Sequence, residues 1–187
     1  MMRMLANMRT LAVMMLVGFL PATSLASPPC AGGYAPSFVL TGAVENSRSY
    51  RLGDLQGLTP SKATVSYFSG RDGLVTKTFI GVPLLDLLDA AVVVNNPAQK
   101  NDALRKFLVV TASDCYQVTV ALAELLPTFG GQQIMVAFAD GDGQPLDSGE
   151  GMARLVVPGD KAGGRFVSNI TRIAVRSPGP ALQSPAP

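Results

Sequence analysis

The sequence predicts a single α+β domain, and three observations carry the prediction. At 187 residues, 48% of them hydrophobic, the chain is long enough for one well-cored domain and too short for two comfortable ones. Between residues 37 and 176 the apolar residues fall mostly into short strand-like runs separated by Gly, Asp and Pro turns. Helical spacing occurs only in a few short segments, which argues against a bundle or a regular strand-helix alternation.

Each element follows from its local pattern. The run 37–44, SFVLTGAV, reads as a strand, and 46–58, NSRSYRLGDLQGL, as a turn and short helix carrying Leu52, Leu55 and Leu58. ATVSYFSG (63–70) and LVTKTFIG (74–81) flank Arg71-Asp72-Gly73, whose Asp-Gly pair predicts a hairpin. In VPLLDLLDAA (82–91), Pro83 at a first turn precedes Leu84, Leu85, Leu87 and Leu88, the pattern of a helix with one buried face. The polar stretch 95–106 reads as a connector. FLVVTASD (107–114) predicts a buried strand, YQVTVALAEL (116–125) a strand running into a helical turn, and QQIMVAFAD (132–140) a buried strand stopped by Asp-Gly-Asp-Gly. ARLVVPGD (153–160) and ITRIAV (170–175) supply two more strands around a basic, glycine-rich loop.

The ends of the chain carry address rather than fold. Arg3 and Arg9 precede an apolar run from residue 11 to 20, then Pro21 and Ser24-Leu25-Ala26, which predicts a secretory signal peptide over 1–26 cleaved after Ala26. The apolar run is about half the ~20 residues of a bilayer span, so no membrane span is expected after cleavage and the mature protein is expected to be periplasmic or secreted. Residues 27–36 form a mature N-terminal segment, and 177–187, rich in Pro, Ser and Ala, is expected to be a disordered tail. A formal net charge of +2 gives no dense basic face, which excludes nucleic acid as an expected partner. Export places Cys30 and Cys115 in an oxidising compartment, where one disulfide between them is expected, two independent buried thiols being the alternative. The absence of histidine removes His-ligated zinc and the Ser-His-Asp triad.

The loop in LVVPGDKAGGR (155–165) combines Gly159, Gly163 and Gly164 with Lys161 and Arg165, which suits an anionic or planar ligand and equally suits a solvated turn. More is added by ordered landmarks along 38–175: FVLTGAV, YRLGDLQGL, FIGVPLLDLLDAA, LVVTASDCYQVTVALAEL, DGQPL and ARLVVPGDKAGGRFVSNITRIAV. In this order they resemble the sulfite-oxidase-type molybdopterin-binding domain. The resemblance implies a mixed β-sheet, barrel-like fold over 37–176 that holds a pterin between its sheet and loops, with molybdenum on that pterin in the family's enzymes. Those enzymes place a cysteine thiolate in a Cys-x-Gly-Asn arrangement after the strand that here ends Phe68-Ser69-Gly70-Arg71. A phenyl ring offers no lone pair to a metal, and Cys115 is no evident substitute. Phe68 is then either core beneath the sheet or part of a metal-free pocket.

The resemblance is closest to short exported members that also lack the cysteine, and it implies a non-catalytic, pterin-binding regulator acting on the periplasmic domain of a membrane sensor enzyme that makes or degrades cyclic di-GMP. Pterin or molybdopterin is the expected ligand and molybdenum is not expected. A molybdopterin-dependent oxidoreductase and a ligand-free interaction module stand as alternatives. Asp114 is the first candidate for the pterin's guanidine-like edge, since a carboxylate accepts two adjacent donors, or else it caps a turn. Tyr116 beside it offers a ring to a flat heterocycle. Arg154, where the family has an arginine ahead of Leu-Val-Val-Pro, is expected to stack on or bond to the ring, or to pair with Glu150 or Asp147. Arg165 and Ser168 lie where the family's basic and small polar residues approach the cofactor, with Lys161 at the mouth. Ser69 and Arg71 follow the missing thiolate, and Glu150 is a further carboxylate candidate in a loop bounded by Gly149 and Gly151.

Overall fold

The computed structural model describes residues 30–179. The expected signal peptide lies outside the described residues, as does residue 180 onward of the expected tail. The described residues form two sheets. Strands β1 (Phe38–Gly42), β2 (Arg48–Tyr50), β5 (Phe107–Ala112), β6 (Gln117–Ala121) and β9 (Ile170–Arg176) make one, in the order β2-β1-β9-β5-β6. Strands β3 (Ser61–Ser69), β4 (Gly73–Pro83), β7 (Met135–Asp140) and β8 (Arg154–Val156) make the other, in the order β3-β4-β7-β8. Strands β1 and β9 pair in parallel and every other ladder is antiparallel, so the larger sheet is mixed.

Alternation decides which face is buried. Leu108 and Val110 of β5 and Ile173 and Val175 of β9 face the core, while Val109 and Thr111 are only half-buried on the other side. Strand β7 is buried from Met135 to Ala139 because both of its faces are covered. Helix α2 (Leu84–Ala91) packs Leu84, Leu87, Leu88 and Ala91 into the same core, as its leucine spacing predicts. Pro83 both ends β4 and caps that helix, where its missing N–H costs nothing. The β3-β4 hairpin closes across Ser69 and Gly73. Gly73 takes φ +73°, and Ser69 Oγ accepts the amides of Arg71 and Asp72, so the Asp-Gly signal is realised.

Two segments differ from the sequence expectation. Residues 46–50 contain a strand before helix α1 (Leu52–Gln56), because Tyr50 is buried and its ring stacks on Phe38 with centroids 5.3 Å apart. The polar connector holds helix α3 (Asp102–Arg105), and helix α4 (Leu122–Leu125) follows β6 as expected. Asp102 and Lys106 are both buried there, with Lys106 Nζ 2.8 Å from the Asp102 carboxylate and the Asn96 amide donating to it at 2.8 Å. Polar residues that satisfy one another inside the fold look like solvent-facing loop in a hydropathy pattern.

Cys30 and Cys115 form a disulfide across a sequence separation of 85. In the chain-entropy account a closed loop of that length contributes about 4.5 kcal/mol. The bridge fastens residues 30–37, which lie beside the larger sheet.

The Asp102 carboxyl is held below the ordinary carboxylate range, first by the Asn96 amide and then by Lys106. A depressed folded-state pKa means that its contribution is present above the unfolded value and is lost as pH falls through the folded one. Asp102→Asn is therefore expected to lower the Tm at neutral pH. Thermal unfolding followed down the pH scale is expected to show the gap to wild type closing below about pH 4.

Candidate functional site

The β3-β4 hairpin, the loop 147–151, the first residue of β8 and the loop 161–168 enclose an open cleft of about 770 Å³. That volume lies within the range of about 300–1,000 Å³ usual for small-molecule sites. Three charged side chains meet in its lining. Glu150 Oε2 accepts Lys77 Nζ at 2.7 Å and Glu150 Oε1 accepts Arg154 Nη1 at 2.6 Å. The side chains of Glu150 and Arg154 are only 10% and 13% exposed, so each charge relies on the other for compensation. Arg154 Nη2 also donates to Tyr67 Oη at 3.3 Å, and its guanidinium lies 5.6 Å from the Phe79 ring centre and 5.9 Å from that of Phe166. Its Nε–H is buried without an acceptor.

The loop carrying Glu150 is shaped from two sides. Asp147 Oδ1 accepts the amides of Gly149 and Glu150 at 2.8 and 2.9 Å, the local turn chemistry of an Asx motif. Asn169 holds the loop from behind: its Nδ2 donates to Gly149 O at 3.0 Å and its backbone N–H to Glu150 O at 2.8 Å. Gly151 takes φ +87°, and a Cβ there would collide with the Asn169 amide.

The opposite rim is Phe68 and the 3₁₀ turn Gly163–Arg165. Phe68 lies 59% exposed at the cleft, and its N–H donates to Lys161 O at 2.8 Å. The alternative of core beneath the sheet is overturned by strand parity: Tyr67 takes the inward position, stacking on Phe166 at 4.2 Å, and Phe68 must point outward. Gly163 lies flat against the Tyr67 ring, which a Cβ would approach to 3.0 Å.

Of the sequence candidates, Ser69, Arg71, Glu150, Arg154 and Ser168 line the cleft together. Asp114, Tyr116 and Arg165 are not among its lining residues. Asp114 Oδ1 accepts the Tyr116 amide at 2.9 Å, so the carboxylate caps its own turn, and Tyr116 Oη donates to Gly164 O at 2.6 Å behind the rim. Arg165 is bound by both oxygens of Asp160, at 2.8 and 2.7 Å, and by Glu124 at 2.9 Å. These partners, Asp160 foremost, raise its already high pKa and keep it charged. Three residues escaped sequence reasoning: Lys77, Tyr67 and Asn169. Lys77 had a readable signal, since it shares the inward face of β4 with Val75 and Phe79, and a cation on an apolar strand face calls for a buried partner.

The family model of the oxidoreductase molybdopterin binding domain matches residues 36–180. The chain belongs to that family. Among solved structures, this molybdopterin-binding domain is similar to the sulfane dehydrogenase SoxCD from Paracoccus pantotrophus, with a TM-score of 0.60 and 22% identity. The match covers 74% of this chain and 37% of that one, so the likeness is one of fold and spans well under half of that protein. No curated relative matches the chain.

The family's two components can be tested separately against these residues. A flat heterocycle fits: the cleft has the volume, Phe68 offers a ring, and the orphaned Arg154 Nε–H wants an acceptor. A thiolate-held metal does not fit, because no cysteine lines the cleft and both cysteine sulfurs are spent on the disulfide. Removing Glu150 would strand two cations, one of them buried. Glu150→Ala is expected to cost about 3 kcal/mol in denaturant unfolding, and the double variant Glu150→Ala/Arg154→Leu to recover part of that loss.

Proposed function

We propose that the protein is an exported, non-catalytic pterin-binding protein in which the cleft beside Phe68 holds a pterin without a thiolate-bound molybdenum. The observation that carries this reading is Phe68, which lies exposed at the cleft where the resemblance expects the metal's sulfur ligand. In this reading Phe68 lies against the ring system, Arg154 donates to its acceptors, and Glu150 accepts from its donor edge. Ser69, Arg71 and Ser168 contact its substituent. Asp114, Tyr116 and Arg165 serve from outside, by fixing the turns at residues 113–116 and 163–165 that back the rim. The loaded protein then acts on the periplasmic part of a membrane enzyme of cyclic di-GMP metabolism, a step that rests on the resemblance to family members lacking the cysteine and on the expected signal peptide.

Calorimetric titration of the mature protein with reduced pterins is expected to show saturable binding. Phe68→Ala, which removes an exposed side chain, is expected to weaken it about tenfold without lowering the Tm. Absence of heat with every pterin tried would sink the reading. Stoichiometric molybdenum in protein purified from its native compartment would replace it with an oxidoreductase, and capture of a membrane sensor in the absence of pterin with a ligand-free interaction module.

A further inference from the structure

A second groove, of about 480 Å³, lies on the outer face of the larger sheet and shares no lining residue with the cleft. Its floor follows from strand parity. Because Ile173 and Val175 face the core, Arg172, Ala174 and Arg176 face outward along β9. Ala174 sits in register between Thr41 of β1 and Val109 of β5, so a single methyl lies amid larger neighbours and makes a dip. A guanidinium stands at each end of that dip, on α-carbons about 13 Å apart.

The groove's wall is residues 30–37. They are fixed by the Cys30–Cys115 disulfide and by three hydrogen bonds: Gly32 N–H to Ser113 O at 3.2 Å, Ser113 Oγ to Gly33 O at 2.6 Å, and Ala35 N–H to Asn169 Oδ1 at 3.0 Å. Tyr34, 57% exposed, lines the groove from this wall. At one end the Gln117 amide is oriented by its hydrogen bond to Thr111 at 3.0 Å.

The electrostatics of the groove are one-sided. No Asp or Glu lines it, and neither arginine makes an ion pair among the described residues. The stretches outside the described residues contain no Asp or Glu to supply one. Elsewhere among the described residues Arg48, Lys77, Arg105, Lys106, Arg154 and Arg165 each sit against a carboxylate, while Arg51, Lys62, Arg71, Lys100 and Lys161 stand without an ion pair as these two do, but none of those five lines this groove. Two uncompensated guanidinium forks flanking a small apolar dip match an elongated ligand with an anionic group at each end.

We propose that this groove binds a small organic dianion, with two carboxylate or phosphate groups on an uncharged body. One anionic group is held by Arg172 and the other by Arg176, while the body lies over Ala174 and Val109 beneath Tyr34. The site is separate from the pterin cleft and stands whether or not that cleft is loaded.

Calorimetric titration of the mature, oxidised chain with adipate and with fructose 1,6-bisphosphate tests the assignment, and whichever binds identifies the anionic group. Binding is expected to be at least about tenfold tighter than that of the monoanion hexanoate, and to weaken about tenfold in Arg172→Gln and in Arg176→Gln. Both are surface substitutions on an outward strand face, and Lys100→Gln, outside the groove, is expected to change nothing. The assignment is overturned if neither dianion binds, if hexanoate binds as well as the dianion, or if binding survives in the Arg172→Gln/Arg176→Gln double variant.

Discussion

Asn169 is the joint on which the site and the sheet both depend. It stands at φ +50°, a conformation that Asn tolerates far better than a branched residue, immediately before the central strand of the larger sheet. Its side chain accepts from Ala35 and donates to Gly149, and its backbone accepts from Ser113 and donates to Glu150. One buried residue thus ties the disulfide-fastened segment 30–37, the β5-β6 turn and the Glu150 loop to the start of β9. An apolar substitute would keep the two backbone bonds but orphan the Ala35 N–H and the Gly149 carbonyl, on two separate segments.

The charges around the cleft are held in fixed pairs. Glu150 accepts from two cations at once, so both of its oxygens are engaged before any ligand arrives. Arg154 is fixed between two aromatic rings and a carboxylate, so it presents a pre-oriented donor instead of a mobile one. Arg165, clamped by Asp160 and Glu124, fixes the rim turn to helix α4. A ligand entering this cleft meets groups that have already lost their rotamer freedom, which lowers the entropy cost of binding.

Much of the fold was legible because its signals are local. Asp72-Gly73 placed a hairpin, and Pro83 with its leucines placed α2, with no help from distant residues. What stayed hidden depends on partners far away in sequence. Helix α3 exists around a buried Asp102–Lys106 pair that a polarity profile reads as solvent, and β2 is held by a ring stacked on another strand. The same division runs through the cleft. Arg154 and Glu150 lie four residues apart and their pairing could be weighed from the sequence, whereas Lys77 reaches Glu150 across 73 positions and Arg165 reaches Glu124 across 41. Which way Asp114 and Arg165 face is decided by hydrogen bonds that no spacing rule contains.

The parity of strand β3 bears most directly on what the cleft can do. Had residue 68 faced inward, a phenylalanine there would be a matter of core packing, with the cleft unchanged. It faces outward, directly across the ladder from Leu74, which is 77% exposed. The hairpin therefore carries an apolar cross-strand pair into solvent beside the cleft, where Tyr67 and Val75, one position earlier and one later, are instead drawn inward. Two large apolar side chains side by side in water gain free energy when something covers them. In the proposed reading this exposed ring, and not a sulfur, is what the hairpin offers beside the cleft, while the strand pairing that places residue 68 is unaffected by the exchange.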